Sequence, residues 1–195
     1  VSRYRTICAD PPWEQPDSGR RTRSTAGNWT GKWLGYESKV PYDRMTLDAI
    51  RALPVRALAE DDAHLYLWTT NRFLRDAYEV VEAWGFKPST LLTWCKAPMG
   101  IGLGGAYTIT TEFVIFARRG SLKPLRRLDT TWWRFKRPYG ENGGPAHSRK
   151  PDGFLDVVEQ VSPGPYVELF ARRARFGWDY WGDESLGTAD LGSAA

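Results

Sequence analysis

Tyr4-Arg5-Thr6-Ile7-Cys8-Ala9-Asp10-Pro11-Pro12-Trp13 is the stretch on which the fold turns. Tyr4 to Ala9 has the length and β-branched content of a buried strand, and it runs into a carboxylate. Ligands of open α/β sheets bind beyond the C-terminal ends of the strands, which is where Asp10 falls. Neither proline has a backbone N–H, and each biases the residue before it towards an extended conformation. Two backbone carbonyls and one carboxylate are therefore expected to face outward with few competing donors, beside the aromatic plate of Trp13.

Such acceptors suit a planar amine. The exocyclic nitrogen of adenine or cytosine is a poor nucleophile because its lone pair is delocalised into the ring. Accepting its two hydrogens at the Asp10 carboxylate and a proline carbonyl favours a tetrahedral nitrogen with its lone pair exposed. Preorganised dipoles of this kind act mainly on the transition state. Trp13 would stack on the base and hold it. The plainer reading is a proline-rich turn with a tryptophan packed beneath it, and four residues alone do not separate the two.

Outward from this motif, strands and helices alternate. Leu47 to Leu53 reads as a short helix with Thr46 as N-cap and Pro54 as terminator. Ala63 to Thr69 is an apolar strand. Asn71 is expected to cap a helix that runs to about Trp84 and ends at Gly85. Ser89 to Lys96 and Glu112 to Ala117 are strands, each followed by a loop, the second long and basic up to about Arg149. Pro151 opens a helix carrying Phe154, Leu155, Val158 and Val161. Tyr166 to Phe170 and Phe176 to Trp181 close the series. This order predicts an α/β fold with a mostly parallel sheet and helices on both faces. Residues 1–184 are expected to form one domain, with 185–195 a disordered tail. The polar stretch Glu14 to Lys39 is too long for a plain connection and reads as a lid, as does the loop to Arg149.

The 195 residues are 42% hydrophobic with mixed charge, as in a globular and not a disordered chain. No apolar run reaches the length of a membrane span, and Val1 to Ala9 lacks a signal-peptide core, so a cytoplasmic protein is expected. Cys8 and Cys95 read as core residues in a reducing compartment. His64 and His147 are too few for a structural zinc site, and no metal is expected. The net charge is only +4, but it is clustered. Arg20, Arg21 and Arg23 form one group, Arg118 to Arg127 a second, Arg134 to Arg137 a third beside Trp132 and Trp133, and Arg172 to Arg175 a fourth. Basic groups interleaved with aromatics are what a phosphate-backbone groove uses, although each cluster taken alone also reads as a solvated loop.

Asp10-Pro11-Pro12-Trp13, Pro41-Tyr42, Leu65-Tyr66-Leu67-Trp68, Trp94-Cys95-Lys96, Ser148-Arg149-Lys150-Pro151-Asp152, Glu168-Leu169-Phe170-Ala171-Arg172 and Gly177-Trp178 with Trp181-Gly182 fall in one order. That ordered set, from about Tyr4 to Glu184, resembles the MT-A70 family, named for the catalytic subunit of the mRNA adenosine N6-methyltransferase. The resemblance implies a Rossmann-like methyltransferase fold in permuted order, with the catalytic motif (Asp10, Pro11, Pro12, Trp13) before the cofactor-binding strand. It implies S-adenosylmethionine as cofactor and adenine in nucleic acid as substrate. A compact chain without appended RNA-binding modules resembles the bacterial and phage members, which places DNA ahead of RNA.

The resemblance also implies roles for single residues. Lys150 lies towards the methionine part of the cofactor, since a helix N-terminus with an ammonium group suits a carboxylate, and Asp10 is a further cofactor-binding candidate. Phe170 and Arg172 flank its adenosine, and Asp183 and Glu184 are candidates for the ribose hydroxyls, although Asp183 departs from the commoner asparagine. Glu168 shares a face with Tyr166 and Phe170 by strand alternation, and a carboxylate in an apolar strand needs a partner such as Arg172 or a ribose hydroxyl. Tyr42 lies near the target base, and Lys96 and Glu112 line the substrate entrance, unless they form only a structural pair. Longer members have an upstream segment at the adenine pocket, whereas here nine residues precede Asp10. A homodimer, or a heterodimer with a related subunit, is a further expectation. Cytosine N4 or another planar amine would fit the same acceptors, and a scaffold member would have lost the acidic motif, which is intact here.

Overall fold

β1 (Tyr4–Ala9) is buried at every residue but Arg5, the mark of an interior strand covered on both faces. The structure, a computed structural model, describes residues 3–14, 44–97, 106–136, 138, 149–182 and 189. Within these, seven strands form one sheet in the order β5-β3-β4-β2-β1-β6-β7. β2 (Ala59–Thr69) and β6 (Tyr166–Leu169) flank β1 in parallel, and β7 (Trp178–Trp181) continues the parallel side. β4 (Thr111–Arg119) enters antiparallel between β2 and β3 (Lys87–Ala97), and β5 (Trp132–Lys136) runs parallel to β3 at the edge. The parallel α/β sheet with one reversed strand is consistent with a Rossmann-like methyltransferase fold.

Strand alternation divides the apolar residues between two cores. Ile7, Ala9, Leu65, Leu67, Ile115, Ala117, Val167 and Leu169 face one side. There they meet Ile50 of α1 (Leu47–Ala52), Val55 and Leu58 of α2 (Val55–Leu58), and Ala77, Val80 and Val81 of α3 (Leu74–Ala83). Cys8, Tyr66, Trp68, Leu92, Trp94 and Val114 face the other, against Phe154, Leu155 and Val158 of α4 (Gly153–Val161). Each such fully buried aliphatic or aromatic side chain contributes roughly 1.5–3 kcal/mol.

Local signals were read well at α1. Thr46 caps it by accepting from the Ala49 N–H, and the helix ends before Pro54. Gly85 closes α3 with a φ of 80°, a left-handed position that favours glycine. Asn71 does not cap that helix; it opens a 3-10 turn, Asn71–Phe73, that leads into α3. β2 begins four residues earlier than its apolar run, because Glu60, Asp61 and Asp62 extend it where it is exposed. β5 lies inside the stretch expected to be loop. Its alternation of aromatic and basic residues is that of an edge strand with one face in solvent.

One buried polar network joins the sheet to α4. His64 Nε2 lies 3.1 Å from the Leu122 carbonyl, which can only accept, so Nε2 carries the proton. His64 Nδ1 then accepts from Ser162 Oγ at 2.7 Å, and Ser162 accepts from the Tyr66 hydroxyl, also at 2.7 Å. Burial holds the imidazole pKa below its ordinary value and raises that of Tyr66. These residues are accounted for as structure.

Candidate active site at the C-terminal edge of the sheet

Asp10 leaves β1 at the C-terminal edge, where its N–H reaches the Leu169 carbonyl at the end of β6. The chain then turns tightly. The Trp13 N–H donates to the Pro11 carbonyl at 2.9 Å, and the Met45 N–H to the Pro12 carbonyl at 3.0 Å. Few competing local donors were expected, and the prolines supply none, but each carbonyl already has one donor, from Trp13 two residues on and from Met45, remote in sequence. A carbonyl has two lone pairs, so Pro11 can still accept once more.

Trp13 is fixed from two sides. Its Nε1–H donates to the Trp68 carbonyl at 3.1 Å, and its ring stacks on Phe73 with centroids 5.7 Å apart and planes 13° apart. One face of the indole is thus occupied by protein, and any base would use the other face or the ring edge.

Lys150, just before α4, is the hub of the site. Its Nζ lies 2.8 Å from Asp10 Oδ2 and 3.4 Å from Glu112 Oε2, and 5.4 Å above the Trp68 ring. Glu112 in turn meets Lys96 Nζ at 2.5 Å through Oε1, and Lys96 sits 5.5 Å over Trp94. Trp68 and Trp94 pack edge to face, 6.0 Å apart, as the floor beneath both ammonium groups. Asp10, Lys150, Glu112 and Lys96 therefore form one chain of alternating charge, with side chains only 13–21% exposed.

Sharing sets their protonation. Burial pushes the Asp10 carboxyl above its ordinary value; Lys150 opposes this and Glu112 adds to it. Burial also acts on Glu112, but Lys150 and Lys96 together outweigh it and hold that carboxyl low. Burial disfavours the Lys150 ammonium, yet Asp10 and Glu112 prevail and raise its pKa. The result is a fixed cation beside a carboxylate of raised proton affinity, and among the described residues no donor takes the second oxygen of Asp10.

Glu168 lies beside Cys8 and Tyr180 in register. Burial and the nearby Asp10 raise its pKa to about 7, against the pull of Arg173 and Arg175. Among the described residues its carboxylate makes no hydrogen bond or ion pair. Phe170 does not share its face. A φ of 63° just after β6 breaks the alternation and turns the ring onto the α1–α3 core and edge-on to Trp181, 5.3 Å away. A bulky residue held in that region stores strain, which is common at ligand sites. Arg172 follows at the same edge and acts electrostatically on Asp10. Gly182 is required by packing, since a Cβ there would lie 2.5 Å from the Ala171 carbonyl oxygen.

The structure thus brings Asp10, Pro11, Pro12, Trp13, Lys96, Glu112, Lys150, Glu168, Phe170 and Arg172 to one edge. Tyr42, Asp183, Glu184 and all of the first expected lid but Glu14 lie outside the described residues, whereas the second, up to Arg149, is described at 118–136, 138 and 149 and contains β5. Trp68 and Trp94 carry no role that their sequence neighbours disclose, and nothing along the chain connects Glu112 to Lys150. A tryptophan in an apolar strand is ordinary core until a lysine is seen above it. Among the described residues no group of three or more His, Cys, Asp or Glu could hold a metal ion, and no helix is long and apolar enough to cross a membrane.

Residues 4–122 match the model of a protein family described as MT-A70. The chain is 28% identical over 192 residues to the type II methyltransferase M.MunI of a Mycoplasma species, covering 93% of this chain and 78% of that protein. It is 27% identical over 201 residues to the N6-methyladenosine RNA methyltransferase MTA1 of Pyricularia oryzae, covering 94% of this chain and 47% of that one. With the human N(6)-adenosine-methyltransferase catalytic subunit METTL3 the identity is 23% over 183 residues, covering 88% of this chain and 26% of that protein. The chain likewise spans only 24–27% of the plant and fly relatives it matches.

Proposed function

Because this chain belongs to the MT-A70 family, we propose that it transfers a methyl group from S-adenosylmethionine to the N6 amine of adenine in nucleic acid. The observation that carries the reading is the Asp10–Lys150 pair at the sheet edge, 2.8 Å long, with Trp13 anchored beside it. The second oxygen of Asp10 and the free lone pair of the Pro11 carbonyl accept the two amine hydrogens and leave the nitrogen lone pair directed away from the ring. Lys150 holds the carboxylate in that orientation, and the buried setting strengthens each contact. The raised proton affinity of Asp10 suits it to take the surplus proton from the methylated nitrogen.

The cofactor's contribution is a methyl group on a positively charged sulfur, electrophilic enough for a neutral amine. Asp10, Lys150, Glu168, Phe170 and Arg172 are the described residues we assign to hold it. The Glu168 carboxyl supports this assignment, since it is largely buried and among the described residues lacks a partner that a hydroxyl or ammonium group would supply.

DNA stands ahead of RNA, because the type II methyltransferase is matched over most of its length and the RNA methyltransferase over under half. Transfer of labelled methyl from S-adenosylmethionine to matched single-stranded DNA, duplex DNA and RNA tests both points, with mass spectrometry of the nucleoside product. N6-methyladenine in DNA is the expected product. N4-methylcytosine would overturn the base, a strong RNA preference would overturn the polymer, and no transfer to any of the three would overturn the activity.

Glu168 provides a test that needs no turnover. Its folded pKa of about 7 exceeds the ordinary 4.5, so the folded state holds a proton that the unfolded state has released. Stability from this group is therefore lost as pH rises from about 4.5 to about 7, up to about 3 kcal/mol above that window. Glu168→Gln is expected to raise the urea midpoint at pH 8, have little effect at pH 5, and weaken S-adenosylhomocysteine binding. An unchanged midpoint at pH 8 would remove the argument for an unsatisfied carboxylate.

A further inference from the structure

We propose that the exposed face of β5 contacts the phosphate backbone beside the target base, an inference that rests on the nucleic-acid reading above. Register places this strand. Ala9 is level with Leu67, Thr69 with Phe113, Phe113 with Thr93, and Thr93 with Trp132. Trp132 therefore starts at about the height of Pro11, and β5 continues four residues further, to Lys136. Strands β3 and β5 rise past the catalytic edge as a wall about 13 Å tall.

The two faces of that wall differ. Trp133 and Phe135 point to the α4 side, where Trp133 meets Phe154 and the Phe135 carbonyl accepts from Trp94 Nε1 at 3.1 Å. Trp132, Arg134 and Lys136 point the opposite way and are exposed, Trp132 at 58%. Among the described residues neither Arg134 nor Lys136 has an ion pair or hydrogen bond through its side chain, and the Trp132 indole stacks on no other ring. The backbone beneath is fixed, since the Trp132 N–H donates to Thr130 Oγ1 and the Thr93 N–H to the Thr131 carbonyl. Two exposed cations and an aromatic plate at two-residue spacing match a charged polymer with stacking bases.

Trp13 lies on this same side of the sheet, packed on Phe73 and the α1–α3 core. Four strand spacings, about 19 Å, separate β1 from β5. A nucleic-acid strand that leaves its adenine at Asp10 and Trp13 can cross the ends of β2, β4 and β3 and reach this row a few nucleotides away.

The test compares the parent protein with Arg134→Glu/Lys136→Glu and with Trp132→Ala, all checked for unaltered melting. Nucleic-acid binding is followed by anisotropy over a salt series, and methyl transfer over a substrate series. The double variant is expected to raise KM tenfold or more. It should also reduce the slope of log Kd against log salt by about 1.4 on a single strand or about 1.8 on duplex, as two lost phosphate contacts require. Trp132→Ala should weaken binding with the slope retained. An unchanged slope and KM in the double variant overturns the row while the enzymatic reading stands. A change in oligomeric mass in place of the slope also overturns it, marking the edge as a protein interface. If the parent binds nucleic acid but methylates none, the enzymatic reading fails and the slope still decides the row.

Discussion

Asp10→Ala is expected to cut methyl transfer by at least 100- to 1,000-fold, roughly the effect of removing a preorganised transition-state contact. The folded protein should survive the change. Burial holds the Asp10 carboxyl above its ordinary pKa, so its ionised form costs stability in the folded state, and deleting it relieves that cost. Lys150 keeps Glu112 as a partner at 3.4 Å. S-adenosylhomocysteine binding by calorimetry should weaken far less than transfer, because Lys150, Glu168, Phe170 and Arg172 remain to hold the cofactor, and this separates a chemical defect from a binding one. Asp10→Asn should fall between the two, because the amide keeps an acceptor oxygen and loses the charge that Lys150 orients. Near-normal turnover of the alanine variant would refute the role given to Asp10.

Lys150→Met should destabilise the fold by about 3–5 kcal/mol at pH 8, the usual result of removing one member of a buried ion pair. Methionine replaces much of the volume over Trp68, so the loss would be electrostatic. Asp10 would be left without its 2.8 Å partner, and Glu112 with Lys96 alone. Both carboxyls would then titrate above their unfolded values, so the deficit is largest at high pH. It should shrink as pH falls towards about 4, where the unfolded carboxyls also take up protons. Urea midpoints at pH 8 and pH 5 check the sign. Lys150→Arg should recover much of the stability and little of the transfer, since a planar guanidinium cannot occupy the position of an ammonium between two carboxylates. A loss of equal size at both pH values would show that packing, and not charge, makes Lys150 necessary.

Much of the architecture was legible because local rules had no rival. Thr46 and Pro54 bracket α1, Gly85 ends α3, and the apolar runs of β1, β2, β4 and β6 can only be interior strands. The strand at Trp132 was not legible, because its basic residues look like a loop until β3 is present to pair with it. Phe170 was assigned to the wrong side because alternation assumes an unbroken strand, and nothing in its neighbours signals a left-handed backbone. The donor to the Pro12 carbonyl was not legible for a related reason. Prolines declare which donors are missing, but Met45, remote in sequence, supplies one.

By itself the sequence determined the carboxylate at the end of the first strand, the order of strands and helices around it, and the ordered motifs of the family. The first two follow from period, capping and proline chemistry, which act over a few residues, and the third from the resemblance of the motifs to a known family. Only the tertiary structure decided that Lys150 lies between Asp10 and Glu112, that two tryptophans floor the pair, and that β5 stands above the edge with its cations exposed. Electrostatic coupling depends on distances of a few ångströms between side chains up to 140 positions apart, and sheet register sets those distances where spacing along the chain does not.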